Sequence, residues 1–411
     1  MKTTIELKSI PDDKYSDYRY DVIFNAYKWD PQVGDHNTIA RQVVMMEEDT
    51  AQQLEKWAEQ LSEETMLMEE ALVHQPVLAK KLGLPKQILK AFERLSRYDR
   101  NNNIRLMRFD FHPTTDGWAL SEVNSDVPGG LAEASVLPEI ACKYIEGAKP
   151  RKNIGESLLQ AFNERLEENS TIALIHATSY SDDRQVMEFL SDYLQVHGYQ
   201  TVLAAPDHIK WENKRAICIM EGKEGPIDGI IRFYPLEWMT MLPRKSGWKG
   251  YFDCRVSSCN HPVAILTQSK RLPLVWDELG VDIPAWKGLL PETRDPKAIK
   301  PGDDGWIYKP ALGRVGGGIS IKEAITEKER IQIIKAVRRD PAGWVAQRKF
   351  ISRPLTDANG ESFHLCVGVF TVNGRSAGFY GRISPFPRID ERAGDIPVLI
   401  FKGGYKNERK P

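Results

Sequence analysis

The stretch from Ile104 to Glu133, IRLMRFDFHPTTDGWALSEVNSDVPGGLAE, constrains this chain more than any other part of it. Met107 to Phe111 alternates apolar and polar residues, as a half-buried strand does. Thr114-Thr115-Asp116-Gly117 is a turn cluster. From Trp118 to Asn124 the alternation resumes, with Ala119, Ser121 and Val123 on one side and Leu120, Glu122 and Asn124 on the other. Paired as a hairpin, the two strands can project Arg108, Asp110, Glu122 and Asn124 from one face. Three oxygen donors and one cation in a small area suit Mg2+, which usually takes one or two carboxylates and completes its shell from phosphate. They equally suit a surface hairpin with a salt bridge, and only the downstream sequence separates the two.

Composition narrows the classes. With 411 residues the chain is long enough for two or three domains or one multilobed enzyme. Its 41% hydrophobic and 27% charged residues are ordinary for a globular protein, and a net charge of -1 offers no basic excess for nucleic acid or an anionic membrane. No apolar run approaches the roughly 18 residues of a membrane span. The N-terminus, MKTTIELKSIPDDKYSDY, has no apolar export core. Cys142, Cys218, Cys254, Cys259 and Cys366 are scattered and odd in number, and Cys254 and Cys259 lack CxxC spacing, so reduced thiols and a cytoplasmic location are expected.

The early part of the chain is mixed, and Asp21 to Trp29 fits a strand or a helix. From Asp49, Leu54, Trp57, Leu61, Met68 and Leu72 mark a long amphipathic helix whose stripe is core packing. A second helix is expected through Gln87 to Leu95, and a partly helical apolar segment over Leu131 to Ile145. Pro150 to Gly155 reads as a linker, and the KPRK at Lys149 to Lys152 as part of it, solvated. Then the rhythm changes. A helix carrying Leu158, Leu159, Phe162 and Leu166 precedes a strand, Thr171 to His176, and a helix carrying Val186, Phe189, Leu190, Tyr193 and Leu194 ends at His197-Gly198. Strands at Thr201 to Ala205, Ala216 to Met220 and Ile227 to Phe233 complete a layered α/β lobe with a largely parallel sheet. Farther on, Ile307 to Pro310 leads into Ala311 to Ile321, predicting two strands around a glycine-rich turn. Thr326 with Glu329 is a capping-box pair. Trp344 to Ile351 is another strand, and Asn373-Gly374 between His364 to Val372 and Ser376 to Arg382 is a strong hairpin signal.

The turn at Gly313, Gly316, Gly317 and Gly318 exposes backbone N–H groups that can close over phosphates. It is neither GxxxxGK[ST] nor a glycine fingerprint opening a helix. Lys309 on the entering strand and Lys270 after Gln268-Ser269 add cations of the kind that meet polyphosphate. An acidic hairpin, two lysine-bearing segments, a glycine turn and a strand with Gln347 together resemble an ATP-grasp enzyme, with Arg-x-Asp placed early as in the circularly permuted branch.

The sequence resembles the glutathionylspermidine synthase family, in its synthetase domain. The likeness spans nearly the whole chain and is clearest from about 104 to 382. It rests on Arg108-Phe109-Asp110 with Glu122-Val123-Asn124, on Lys270 in SKRLPLVW, and on Lys309-Pro310-Ala-Leu-Gly313-Arg314-Val-Gly316. It also rests on Gln347, and on Phe370 to Gly374 followed by Arg382. The resemblance implies an ATP-grasp fold, mixed α+β and α/β, with an additional layered α/β lobe. It divides the chain into a helical segment with the metal-binding hairpin (1–150), the α/β lobe (151–262), an ATP-binding lid subdomain (263–350) and a return to the core (351–411).

The resemblance implies that Asp110, Glu122 and Asn124 hold Mg2+, two ions in all. It implies that Arg108 and Arg382 are catalytic, and that Lys270, Lys309, Gly313, Gly316, Gly317, Gly318 and Gln347 bind ATP. Glu237 in YPLEWM is implied as a substrate-side carboxylate, a role shared by Glu122. The activity implied is ATP-dependent joining of a small-molecule or peptide carboxylate to an amine through an acyl phosphate, with release of ADP and phosphate and no nucleic-acid or membrane partner. Bifunctional members carry an N-terminal cysteine amidase, for which this chain has no room. Where glutathione-using members place small polar residues and a cysteine, this chain reads Ser125-Asp126-Val127-Pro128-Gly129-Gly130, so substrates other than glutathione are expected. Two other readings stay open on the residues: an ATP-grasp phosphotransferase acting on a small molecule, and a non-catalytic nucleotide-binding protein.

Overall fold

The computed structural model describes residues 5–95, 98–300, 302–314 and 316–402. Its central sheet is built from segments far apart in the chain. The ribbon strands Leu106–Thr114 and Gly117–Asn124 pair antiparallel, and Leu106–Thr114 also pairs with Ser362–Val372. The order across the sheet is Gly394–Ile396, Arg375–Ser384, Ser362–Val372, Leu106–Thr114, Gly117–Asn124. The hairpin of Ser362–Val372 and Arg375–Ser384 turns on Asn373 (φ 48) and Gly374 (φ 84), the two left-handed residues that a tight hairpin of this kind requires.

One face of this sheet is covered by the helix Glu48–Val73, in which Leu54, Leu61, Met68 and Leu72 are buried at helical spacing. The same helix buries Glu69, which accepts from Arg105 Nε at 3.0 Å. Arg105 precedes the first ribbon strand and donates to the Ser125 carbonyl, just past the second, at 2.7 Å. A buried arginine thus ties both open ends of the ribbon to the helix, and removing it would strand Glu69 at a cost of about 3–5 kcal/mol.

A second sheet is wholly parallel, in the order Ser257–Cys259, Gly229–Arg232, Thr171–Ile175, Gln200–Ala204. The helices Ile154–Asn163 and Ser181–Val196 bury Leu158, Phe162, Phe189 and Leu190 in its core. A third, small sheet places Trp306–Pro310 beside Trp344–Arg348, and the helix Glu327–Arg339 packs Ile333 and Val337 onto it. Ile5–Ser9, Gln42–Glu47 and Val398–Phe401 make a fourth.

Several expectations change. Asp21 to Asn25 ends a helix, Tyr15–Asn25, and Leu166 lies beyond the helix Ile154–Asn163. The glycine-rich segment is not a two-stranded hairpin. Trp306–Pro310 takes Trp344–Arg348 as its partner, and residues 311–314 and 316–321 form turns and irregular backbone, with Ser320 N donating to the Tyr308 carbonyl at 3.1 Å. Val315 lies outside the described residues, as do the last residues of the expected 351–411 segment, from 403 on. Thr326 Oγ1 accepts from Glu329 N at 3.2 Å, but the Glu329 carboxylate accepts from Arg388. Arg151 of the KPRK run is no solvated linker residue, because Glu48 and Glu55 of the long helix both hold it. All five cysteines are free, and among the described residues no helix is long and apolar enough to cross a membrane.

Candidate active site

A cavity of about 1080 Å³ lies between the central sheet, the parallel-sheet lobe and the glycine-rich loop. Strand periodicity brings the ribbon's polar residues to its floor. Arg108 is opposite Asn124 and Asp110 opposite Glu122, with a bulge just after Asp110 that shifts the register. Arg108 lies flat along the sheet. Its Nε and Nη2 donate to the two Asp110 oxygens at 2.7 and 2.9 Å, and its Nη1 donates to the Gly129 carbonyl at 2.6 Å. The guanidinium sits 4.9 Å from the Tyr380 ring centroid. Gly368, in the middle of the neighbouring strand, makes this possible, since a Cβ there would come within 2.7 Å of Arg108 Cδ. Asn124 Nδ2 donates to Asp110 Oδ2 at 2.9 Å.

Glu122 meets the two lysines. Its Oε2 is 3.0 Å from Lys270 Nζ. Burial would raise its pKa, but Lys270 and Lys309 outweigh burial and hold the carboxyl at about 2. Lys309 is buried and donates to the Ser121 carbonyl at 3.1 Å. Burial first, and Lys270 against the pull of Glu122, lower its ammonium to about 8. Two ammonium groups therefore share one carboxylate, a surplus of positive charge that an incoming anion would relieve. Lys270 Nζ also donates to the Gly313 carbonyl at 2.7 Å, joining the ribbon to the glycine-rich loop.

The remaining expected site residues divide. Gly316 and Arg382 line the cavity; Gly313, Gly317 and Gly318 do not. Arg382 is aimed by the Asp390 carbonyl, which accepts from its Nη2 at 2.6 Å. Gln347 is buried behind the wall. Its Nε2 donates to Thr293 Oγ1 at 3.1 Å, and its buried Oε1 has no partner among the described residues. Glu237 is outside the cavity lining, with both oxygens taken by Arg314.

Other lining residues escaped the sequence reading. His112 follows Asp110 at strand period and shares its face, so alternation alone could have found it. Its Nε2 is 3.1 Å from Ser121 Oγ and its ring 5.3 Å from Phe350. Burial, then Lys309, push it down to about 4, so it is neutral at neutral pH. Ile307, Ile319 and Ile351 line the cavity with Phe350. The opposite end carries Asp30, Asp182 and Asp183, with Tyr180, Phe233 and Trp238. Asp182 and Asp183 come from the first turn of Ser181–Val196, where acidic residues are at home. Burial raises the half-buried Asp183 carboxyl to about 7. Lys28, on another part of the wall, is held by Glu133 and Asp395 at 3.0 and 2.8 Å.

The donor set fits a hard divalent cation. Among the described residues no group of three His, Cys, Asp or Glu side chains could hold a metal alone. Two carboxylates and one amide oxygen are, however, what a Mg2+ sharing its shell with phosphates requires. The carboxylates would exchange their present partners, Arg108 and Lys270, for the metal, and Asn124 would turn its amide.

An antiparallel sheet and a wholly parallel one flank this cleft, an α/β arrangement of ATP-grasp type. The chain belongs to the glutathionylspermidine synthase preATP-grasp family, whose sequence profile matches residues 16–398. It is 25% identical over 219 residues to a Haemophilus influenzae protein named "Putative acid--amine ligase", a match covering 52% of this chain and 54% of that one. The chain thus spans about half the length of that relative. The fold is similar to that of a glutathione synthetase-like effector from Globodera pallida in its apo form, with a TM-score of 0.62 and 11% identity over 96% of this chain and 98% of that one.

Proposed function

We propose that this chain is an ATP-dependent ligase that joins a carboxylate to an amine through an acyl phosphate. The observation that carries this reading is one cavity floor bearing two carboxylates and an amide from the ribbon, set against the Lys309 ammonium, with Lys270, outside the lining, paired to Glu122. Carboxylates do not react with amines at neutral pH because oxide is the leaving group. Transfer of the γ-phosphoryl group to a carboxylate oxygen, with loss of ADP, replaces oxide by phosphate. The amine nitrogen then attacks the acyl carbon, phosphate leaves with the C–O electron pair, and the nitrogen gives up a proton.

Phosphoryl transfer asks a protein chiefly for positioning and charge. Asp110, Glu122 and Asn124 would hold Mg2+, which would supply positive charge to offset that of the phosphates. Lys270 and Lys309 supply cations to the polyphosphate. The slot of Ile307, Ile319, Phe350 and Ile351 receives the base, with neutral His112 at its edge. Arg108 and Arg382 orient the transferring phosphoryl oxygens and the acid. The end with Asp30, Asp182 and Asp183 receives the protonated amine, and Asp183, near half-protonated at neutral pH, accepts its proton.

The test is a screen of amino acids, polyamines and short peptides with ATP and Mg2+, read by mass. The expected product weighs the acid plus the amine less one water, and ADP release depends on both partners. Release of ADP with one partner alone, the phosphoryl group staying on the product, would replace ligation by phosphotransfer.

A further inference from the structure

The glycine-rich loop is fastened on two sides of the cavity. On one side Gly316, at φ +65, lies so close to the Ile389 backbone that a Cβ would sit 2.3 Å from its carbonyl oxygen. On the other, Arg314 reaches into the parallel-sheet lobe. Its Nε donates to Glu237 Oε1 at 2.9 Å and its Nη2 to Glu237 Oε2 at 3.2 Å, a two-pronged contact. The same Nη2 is 3.5 Å from Asp126 Oδ2.

Asp126 is the junction behind this contact. It is fully buried and lies two residues past Asn124. Its Oδ1 accepts from Arg232, at the end of a parallel strand. Its Oδ2 accepts from Leu236 N at 3.0 Å, and its own N donates to Gln268 at 2.8 Å. Arg232 and Arg314 thus face Asp126 and Glu237, two cations against two carboxyls. Ribbon, parallel lobe and glycine-rich loop meet at this one buried point.

We infer that Arg314 and Glu237 form the latch that positions the glycine-rich loop over the cavity, and that Glu237 is therefore a positioning residue rather than a substrate ligand. Arg314, Gly316, Ile319 and Ile321 of that loop line the cavity, so the latch sets where the loop stands relative to a bound polyphosphate. That consequence rests on the ligase reading; the latch itself does not.

The experiment is hydrogen–deuterium exchange on the full chain for wild type, Glu237→Gln, Arg314→Met and Arg314→Lys. Loss of a partly buried two-pronged ion pair is expected to speed exchange of residues 311–321 about tenfold. The ribbon, 106–124, and the parallel strand, 171–175, keep their wild-type protection. Arg314→Lys, which keeps the charge but not the fork, falls between. Unchanged exchange of 311–321 in both Glu237→Gln and Arg314→Met overturns the latch, and so does an equal rise in 171–175. A non-hydrolysable ATP analogue separates the two proposals. If wild type fails to bind it, the ligase reading falls while the exchange result still decides the latch. If wild type binds it, the latch predicts about tenfold weaker binding by the two variants, and equal binding contradicts it.

Discussion

The two ends of the cavity treat charge in opposite ways. At the ribbon end every acidic group has a cation: Arg108 on Asp110, Lys270 on Glu122, and buried Lys309 beside both. The Glu122 carboxyl sits far below its ordinary range. At the far end Asp182 and Asp183 stand together, and burial lifts Asp183 to about 7. The difference teaches where each reactant belongs. Surplus positive charge on a carboxylate floor suits a metal-bound polyphosphate, whereas a carboxyl on which burial outweighs the pull of Arg314 suits an ammonium group that must lose its proton.

The largest effect that could break this contrast is at the ribbon. Asp110→Asn or Glu122→Gln should lower ATP turnover at least about 10^2- to 10^3-fold, with an unchanged circular dichroism spectrum; wild-type ADP release by either would remove the metal assignment. Asp183→Asn should slow amide formation about 10^2-fold and erase a rate step near pH 7, while the step that consumes ATP is spared; a pH profile that keeps the step places the proton acceptor elsewhere.

Much of the ribbon end was legible in the sequence because period-two alternation fixes which side chains share a face. Arg108, Asp110, Glu122 and Asn124 meet as the alternation requires, and the Asn373-Gly374 turn forms where the dipeptide announces it. The far end was not legible. Asp30 comes from the segment before Gln32–Val33, and Asp182 and Asp183 from the start of Ser181–Val196, brought together only by tertiary packing. The glycine-rich segment misled for a related reason. A glycine-rich turn between two strand-like stretches suggested a self-paired hairpin, but Trp306–Pro310 pairs instead with Trp344–Arg348, whose Val345 and Ala346 are fully buried. The resemblance made Glu237 a substrate-side carboxylate, and nothing local announces its partner Arg314, 77 residues away.

Two smaller effects sharpen the contrast. Gly368→Ala pushes into Arg108 Cδ and should cost about 1–3 kcal/mol, read as a lower Tm; an unchanged Tm would mean Arg108 moves aside freely. The weakest effect is the acid limb of stability. Because folding lowers the Glu122 pKa from 4.5 to about 2, its contribution is complete above about 4.5 and lost as pH falls toward about 2. Denaturant titrations of wild type and Glu122→Gln should therefore converge across that window, and parallel curves would show that the lysines do not hold this carboxylate.

Calorimetric titration with a non-hydrolysable ATP analogue, with and without Mg2+, tests the central claim most directly. Wild type should bind the analogue far more tightly with Mg2+ present, and Glu122→Gln and Lys309→Met should each lose most of that gain. Binding that ignores Mg2+, or survives intact in both variants, would show that the ribbon and Lys309 do not meet on a triphosphate.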